Sequence, residues 1–169
     1  FLGTTNYAGA SFSPDNSTLL VSNDASGIYN AHAIRINDGS ITQLTHSPTD
    51  SIFAIAYFPN DERFLYRSDR GGNKLNHLSV QAPDGTVTDL TPGDELKAMF
   101  LGWAQDEQSF FAATNERDRR FFDAYEYNAE TYQREFIHEN HEGLNFRDIT
   151  PDRRTIALAK TETNADSDI

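Results

Sequence analysis

The sequence predicts an all-β chain, a partial β-propeller of about three and a half four-stranded antiparallel blades. Three sets of markers predict it, because they keep one beat along the chain. A turn recurs as Ser13-Pro14-Asp15, Phe58-Pro59-Asn60-Asp61, Ala104-Gln105-Asp106 and Thr150-Pro151-Asp152, so that Pro14, Pro59, Gln105 and Pro151 stand 45, 46 and 46 residues apart. Leu44-Thr45, Leu90-Thr91 and Phe136-Ile137 follow at 46 each time, as do Asp38-Gly39, Asp84-Gly85 and Glu130-Thr131. A repeat of this length made of short strands marks a propeller blade.

The first copy justifies the strand count. Tyr7 to Phe12 alternates apolar and small residues, as an inner strand between neighbouring blades would. Pro14-Asp15-Asn16 is a turn, since proline presets φ and Asp and Asn tolerate the tight backbone that follows. Thr18 to Ser22 reads as a second, more continuously apolar strand, broken by Asn23 to Gly27. Ile28 to Ile36 is the third strand. Asp38-Gly39 supplies the positive φ of a hairpin, and Ser40 to Thr45 closes the blade.

Later copies keep this register. The second reads as Ile52–Tyr57, Arg63–Arg67, Leu75–Val80 and Thr86–Thr91. The third reads as Met99–Trp103, Ser109–Thr114, Phe121–Asn128 and Tyr132–Ile137, with Gln105 replacing the proline and Glu130-Thr131 replacing Asp-Gly. The fourth offers Leu144–Ile149 and Thr155–Lys160, then Thr161 to Asp168, and lacks its third and fourth strands. Blade limits near 7–51, 52–96, 97–143 and 144–169 follow. The recurring Ser-Pro-Asp and Asp-Gly pairs are read as turn chemistry rather than as binding motifs.

Composition narrows the function classes. With 12 Phe and 7 Tyr among 169 residues, the chain is rich in side chains that favour pleated sheet. A net charge of −12 argues against nucleic acid, which needs clustered Lys and Arg. The basic run Arg117-Asp118-Arg119-Arg120 is interrupted by an acid and reads as a solvated loop. No apolar run is long enough to span a bilayer. There is no cysteine, so disulfides are excluded and the redox compartment is not legible. No charged-then-apolar leader opens the chain, so a signal peptide is expected to be absent or removed. The acidic balance suits a cytoplasmic or a periplasmic home.

Propellers close with typically four to eight blades. The chain starts at Phe1 and stops inside a blade, so a larger protein is expected, with any catalytic domain outside this sequence. Two copies associating through open blade faces is the other way to cover such surfaces.

The repeat text itself resembles two groups. Ser-Pro-Asp, a strand, Ser68-Asp69-Arg70-Gly71-Gly72-Asn73, a strand, then Asp-Gly and Leu-Thr is similar to the N-terminal propeller of the prolyl oligopeptidase family of serine peptidases, which includes acylaminoacyl and dipeptidyl peptidases. It is also similar to the periplasmic TolB-type propeller. Asp69 to Leu78 with Thr88 to Gly93, and Ile149 to Leu158 running into Thr163 to Ile169, resemble blades of the peptidases more closely. The irregular third copy departs from the more uniform TolB-type repeat.

That resemblance implies a propeller that gates peptide access to an α/β-hydrolase domain carrying a Ser-Asp-His triad on a G-x-S-x-G elbow. No such pentapeptide occurs here. Dipeptidyl peptidases hold the substrate amino terminus with adjacent glutamates, and this chain has no Glu-Glu pair to take that role. The TolB type implies instead a propeller that binds another protein. A sugar- or lactone-acting enzyme would need channel-facing metal ligands and ranks last.

No catalytic, cofactor or metal residue is expected. His138-Glu139-Asn140-His141-Glu142 is the local metal candidate, but it falls in a loop without the frame that makes His pairs useful ligands. Asp166 and Asp168 lack the Gly and Glu of a calcium loop and read as a polar turn. His32 and His77, 45 residues apart, read as a repeat feature of matching third strands. Trp103 either lines a channel or fills core, with core favoured by its area. Phe110-Phe111 and Phe121-Phe122 are expected to place one ring on each face of a strand.

Overall fold

The computed structural model describes residues 4–150, 152–163 and 166–168. Every regular element among them is a strand: β1 (Tyr7–Phe12), β2 (Thr18–Asn23), β3 (Asn30–Arg35), β4 (Ile41–Gln43), β5 (Ile52–Tyr57), β6 (Phe64–Ser68), β7 (His77–Gln81), β8 (Val87–Asp89), β9 (Ala98–Trp103), β10 (Ser109–Thr114), β11 (Asp123–Asn128), β12 (Arg134–His138), β13 (Asn145–Ile149), β14 (Ile156–Thr163) and β15 (Asp166–Asp168). They form three four-stranded antiparallel sheets, β1-β2-β3-β4, β5-β6-β7-β8 and β9-β10-β11-β12, and a sheet β13-β14-β15. Within each sheet, strands adjacent in sequence are adjacent in space. That sequential order is the propeller-blade arrangement, and the chain is all-β as its repeats predict.

Two expectations for the fourth copy need amendment. Its second strand runs on to Thr163, and β15 pairs back on it through Lys160↔Asp168 and Thr161↔Ser167. A third strand is therefore begun, and Asp166 and Asp168 stand in a strand rather than a turn. Pro151 of the fourth turn, Asn164, Ala165 and Ile169 lie outside the described residues.

Turn chemistry explains most strand ends. Asp15, Asp61, Asp106 and Asp152 each accept a backbone N–H two residues on, from Ser17, Arg63, Gln108 and Arg154. The residue after the aspartate is left-handed at Asn16, Glu107 and Arg153. In the third hairpin, which lost its Asp-Gly, Asn128 Oδ1 accepts the N–H groups of Glu130 and Thr131, and Tyr132 takes the positive φ. Lost turn residues are thus replaced by a side-chain cap, and the hairpin survives.

The chain divides into two compact units, Phe1–Leu90 and Thr91–Ile169, each holding two blades. In the first unit the core is Leu20 and Ala31 of one sheet against Ile52, Ala54, Tyr57, Phe64 and Tyr66 of the next. Full burial of each large side chain contributes roughly 1.5–3 kcal/mol. Hydroxyls stitch the two sheets: Ser22 Oγ accepts the Ala54 N–H at 2.7 Å, and Ser11 Oγ accepts the Tyr57 N–H at 3.1 Å. We expect Ser22→Ala to cost about 1–2 kcal/mol, because it leaves a buried N–H unpaired. Faster hydrogen exchange at the Ala54 amide would register it, and unchanged exchange would contradict it.

In the second unit Phe110 and Phe111 do place one ring on each face of β10. Phe110 stacks on Tyr127 at 5.2 Å between centroids, while Phe111 meets Phe146 of the following sheet at 6.5 Å. Phe121-Phe122 does not follow suit. β11 opens only at Asp123, because Asp118 caps the preceding loop by accepting the Arg120 N–H, and the Phe121 N–H bonds to the Asp118 carbonyl.

Candidate functional site: inner strands and the gaps between blades

The first strand of every sheet carries a β-bulge at the same place. In β1 the register slips between Ala8 and Ser11, in β5 between Ala54 and Ala56, in β9 between Gly102 and Phe100, and in β13 between Phe146 and Asp148. Gly9, Ile55, Leu101 and Arg147 thus fall within the slips, 46 residues apart each time. A bulge bends its strand and re-aims side chains, and bulges concentrate where a strand faces a site. No common residue type marks these positions. Gly9 and Gly102, glycines within strands, are the sequence hints of it.

In the first three sheets the third strand opens on a buried polar residue opposite the last residue of the second: Asn30 opposite Asn23, His77 opposite Ser68, Asp123 opposite Thr114. His77 therefore matches Asn30, while His32, opposite Val21, matches Ser79, opposite Tyr66. The two histidines are offset by two residues and are not one repeat feature. A 45-residue spacing misled because this connection is longer in the second copy than in the first.

These openers clamp the return of the chain. Asn30 Oδ1 accepts from the Thr45 hydroxyl and the Ser47 N–H, both at 2.9 Å. Asp123 accepts Arg117 Nε at 2.7 Å, Arg117 Nη2 at 2.8 Å and the Asn140 N–H at 2.8 Å. Arg117 also donates to the Asn140 carbonyl. The basic run does lie in a solvent-exposed loop, and its charges are paired there: Arg119 with Glu95 and Arg120 with Asp118. Burial opposes the Asp123 carboxylate, but Arg117 and the Asn140 N–H outweigh it and hold the carboxyl below its ordinary range.

In the second blade the opener makes a different contact. His77 Nδ1 lies 2.6 Å from Asp89 Oδ2, beside a cavity of about 210 Å³ lined by Tyr66, Ser68, Arg70, Ser79 and Asp89. Burial pushes the Tyr66 hydroxyl up, the Asp89 charge adds to it, and the Ser79 hydrogen bond opposes both.

The His138–Glu142 stretch spans the end of β12 and the next loop. His141 Nε2 meets Glu139 Oε1 at 3.4 Å in an exposed setting, and Arg117 shares that glutamate. Among the described residues no group of three or more His, Asp or Glu converges as a metal site would.

Trp103 is half-buried, edge-on to Phe100 and Phe110 with both centroids at 5.4 Å. Its backbone neighbourhood opens on a second cavity, of about 270 Å³, between β9 and β13. Leu101, Gly102, Phe111 and Phe146 line it, with Asp148 and Gln105 among its polar residues. A third cavity, of about 600 Å³, surrounds Arg153, which bonds Glu126 through Nε at 2.9 and 2.8 Å and Asp106 at 3.2 Å.

Phe12, Leu19, Ile34 and Ile41 are cross-strand partners in successive strands of the first sheet, with Phe12 59% and Ile41 52% exposed and the two between them half-buried.

No family model matches the sequence, and no curated protein matches it. Solved structures do match. TolB from Acinetobacter baumannii is similar over 96% of this chain and 39% of its own, at 11% identity and a TM-score of 0.66. A structure from a study of two prolyl endopeptidases is similar over 85% of this chain and 23% of its own, at 14% identity and a TM-score of 0.64. A puromycin-hydrolyzing peptidase of Mycobacterium tuberculosis is similar over 92% of this chain and 25% of its own, at 14% identity and a TM-score of 0.60. This chain is a propeller-like β structure. At such identities the likeness is one of fold, and the chain spans well under half the length of each of these three proteins.

Proposed function

We propose that this chain is a non-catalytic propeller segment of a serine peptidase of the prolyl oligopeptidase family, gating peptide access to an α/β-hydrolase domain. The observation that supports it is the likeness of fold to peptidase structures over 85% and 92% of this chain, together with the Asp69–Leu78 text. That text has a local reason as well. Gly71, Gly72 and Lys74 are left-handed, and Asp69 accepts the Lys74 N–H, so the connection is a built loop.

A second reading is a protein-binding propeller of the TolB type, favoured by the likeness to TolB over 96% of this chain. A fluorophosphonate probe separates the two. The longer protein carrying this chain should be labelled on a single serine, whereas this 169-residue chain alone should take no label and hydrolyse no peptide. An unlabelled longer protein would point to the binding propeller. Turnover by this chain alone would overturn the non-catalytic assignment.

A further inference from the structure

The cavity between β9 and β13 has a cause in the repeat. In the first unit, Ser11 pairs with Leu20 and its hydroxyl bridges to the next inner strand by accepting the Tyr57 N–H. The equivalent residue of β9 is Gly102, which pairs with Phe111, and the equivalent of Tyr57 is Ile149, which pairs with Ile156. Glycine has no hydroxymethyl to make that bridge. A Cβ built at Gly102 would meet nothing within 4 Å, so the space is open. The Ile149 N–H is taken instead by Asp148 Oδ1 at 2.8 Å.

The result is a pocket with two chemistries. Phe111 and Phe146 with Leu101 make an apolar wall, and the acidic residue of the lining is Asp148, with no Lys, Arg or His in it. The Ile149 bond uses one acceptor position of a carboxylate that offers about four. An anion is disfavoured by this lining. A purely aliphatic side chain would cover the carboxylate without satisfying it, which costs free energy. A cation on an apolar stem satisfies both parts, because Arg and Lys lay their methylenes on apolar surface and keep the charge at the edge.

We propose that this inter-blade pocket receives the side chain of an arginine or lysine from a bound peptide segment. The inference goes beyond the peptidase reading, since it uses only the second unit and needs no hydrolase domain. Trp103 is the sole tryptophan of the chain and belongs to the lining, so its emission reports on the pocket. Acetyl-Gly-Arg-Gly-amide should change that emission saturably. The citrulline peptide, isosteric and neutral, should bind about tenfold more weakly, the worth of roughly one charge-assisted contact. Asp148→Asn, at an exposed position, should bring the arginine peptide down to the citrulline level. Gly102→Ser should fill the gap and reduce binding of both peptides. Gly102 has φ +154, so a melting curve must accompany that variant, and Asp148→Asn carries the test if it unfolds. Equal binding of the arginine and citrulline peptides, no saturable change, or arginine binding indifferent to Asp148→Asn would each overturn the proposal. Serine labelling of the longer protein bears on the peptidase reading and leaves these outcomes untouched.

Discussion

Replacing Gly9 by alanine should destabilise the first unit by about 3 kcal/mol, while the same change at Gly39 should cost only about 1 kcal/mol. The two glycines share a backbone conformation, φ +69 and φ +70, so the left-handed penalty on an L side chain is common to both. Their surroundings differ. A Cβ at Gly9 would stand 2.9 Å from the Ala54 carbonyl oxygen, whereas one at Gly39 would meet nothing within 4 Å. Backbone cannot step aside as a flexible side chain can, so the first two sheets must part near Ser11 and Ser22. Denaturant unfolding of both variants measures the difference, and loss of protection at the Ala54 and Tyr57 amides locates it. Equal losses at the two positions would show that the sheets do not press together at Gly9.

Asp123→Ala should cost the second unit about 3 kcal/mol, because it strands the partners of a buried carboxylate. The Asp123 side chain is 1% exposed and receives both arms of Arg117 and the Asn140 N–H. Its carboxyl is held below the ordinary value in the folded chain, so its contribution is present above roughly pH 4 and is lost as the pH falls through the folded value. Asp15 acts in the same direction: hydrogen bonds from Ser13 and Ser17 lower it to about 2. Melting temperatures measured downward from pH 5 should decline in the parent. The decline should be shallower in Asp123→Ala, which has no proton to take up there. Parallel curves would mean that Asp123 does not carry the acid sensitivity.

Much of this fold is legible because it is local. A turn is decided by four residues, and Pro14-Asp15, Asp38-Gly39 and Asp84-Gly85 state their geometry in their own side chains. Strands between such turns follow, and Ile52–Tyr57 and Ser109–Thr114 occupy the bounds expected of them. Where the reading failed, the deciding contact was distant in sequence. Arg117 stays exposed, as its sequence suggests, yet its pairing with Asp123 and the Asn140 carbonyl is not legible in its neighbours. Phe121-Phe122 looked like strand because aromatics favour sheet, yet the Asp118 cap held them in the loop. His32 and His77 shared a spacing but not a register, since a spacing does not count the residues that a loop inserts.

The candidate site was less legible still. Among Gly9, Ile55, Leu101 and Arg147, no chemistry is shared that a reader of side chains could align, because a bulge is a mismatch between two strands and belongs to neither alone. The Gly102 pocket likewise depends on what faces that glycine across the gap, in Phe146 and Asp148.

By itself the sequence determined the repeat, its 46-residue beat and the four-stranded sheets, since turn preferences and apolar alternation act over a few residues. Tertiary structure alone decided where hydroxyls bridge neighbouring sheets, where a glycine leaves a gap and which buried charge clamps a loop. Those depend on atoms tens of residues apart meeting within hydrogen-bond distance, and such meetings are made by packing.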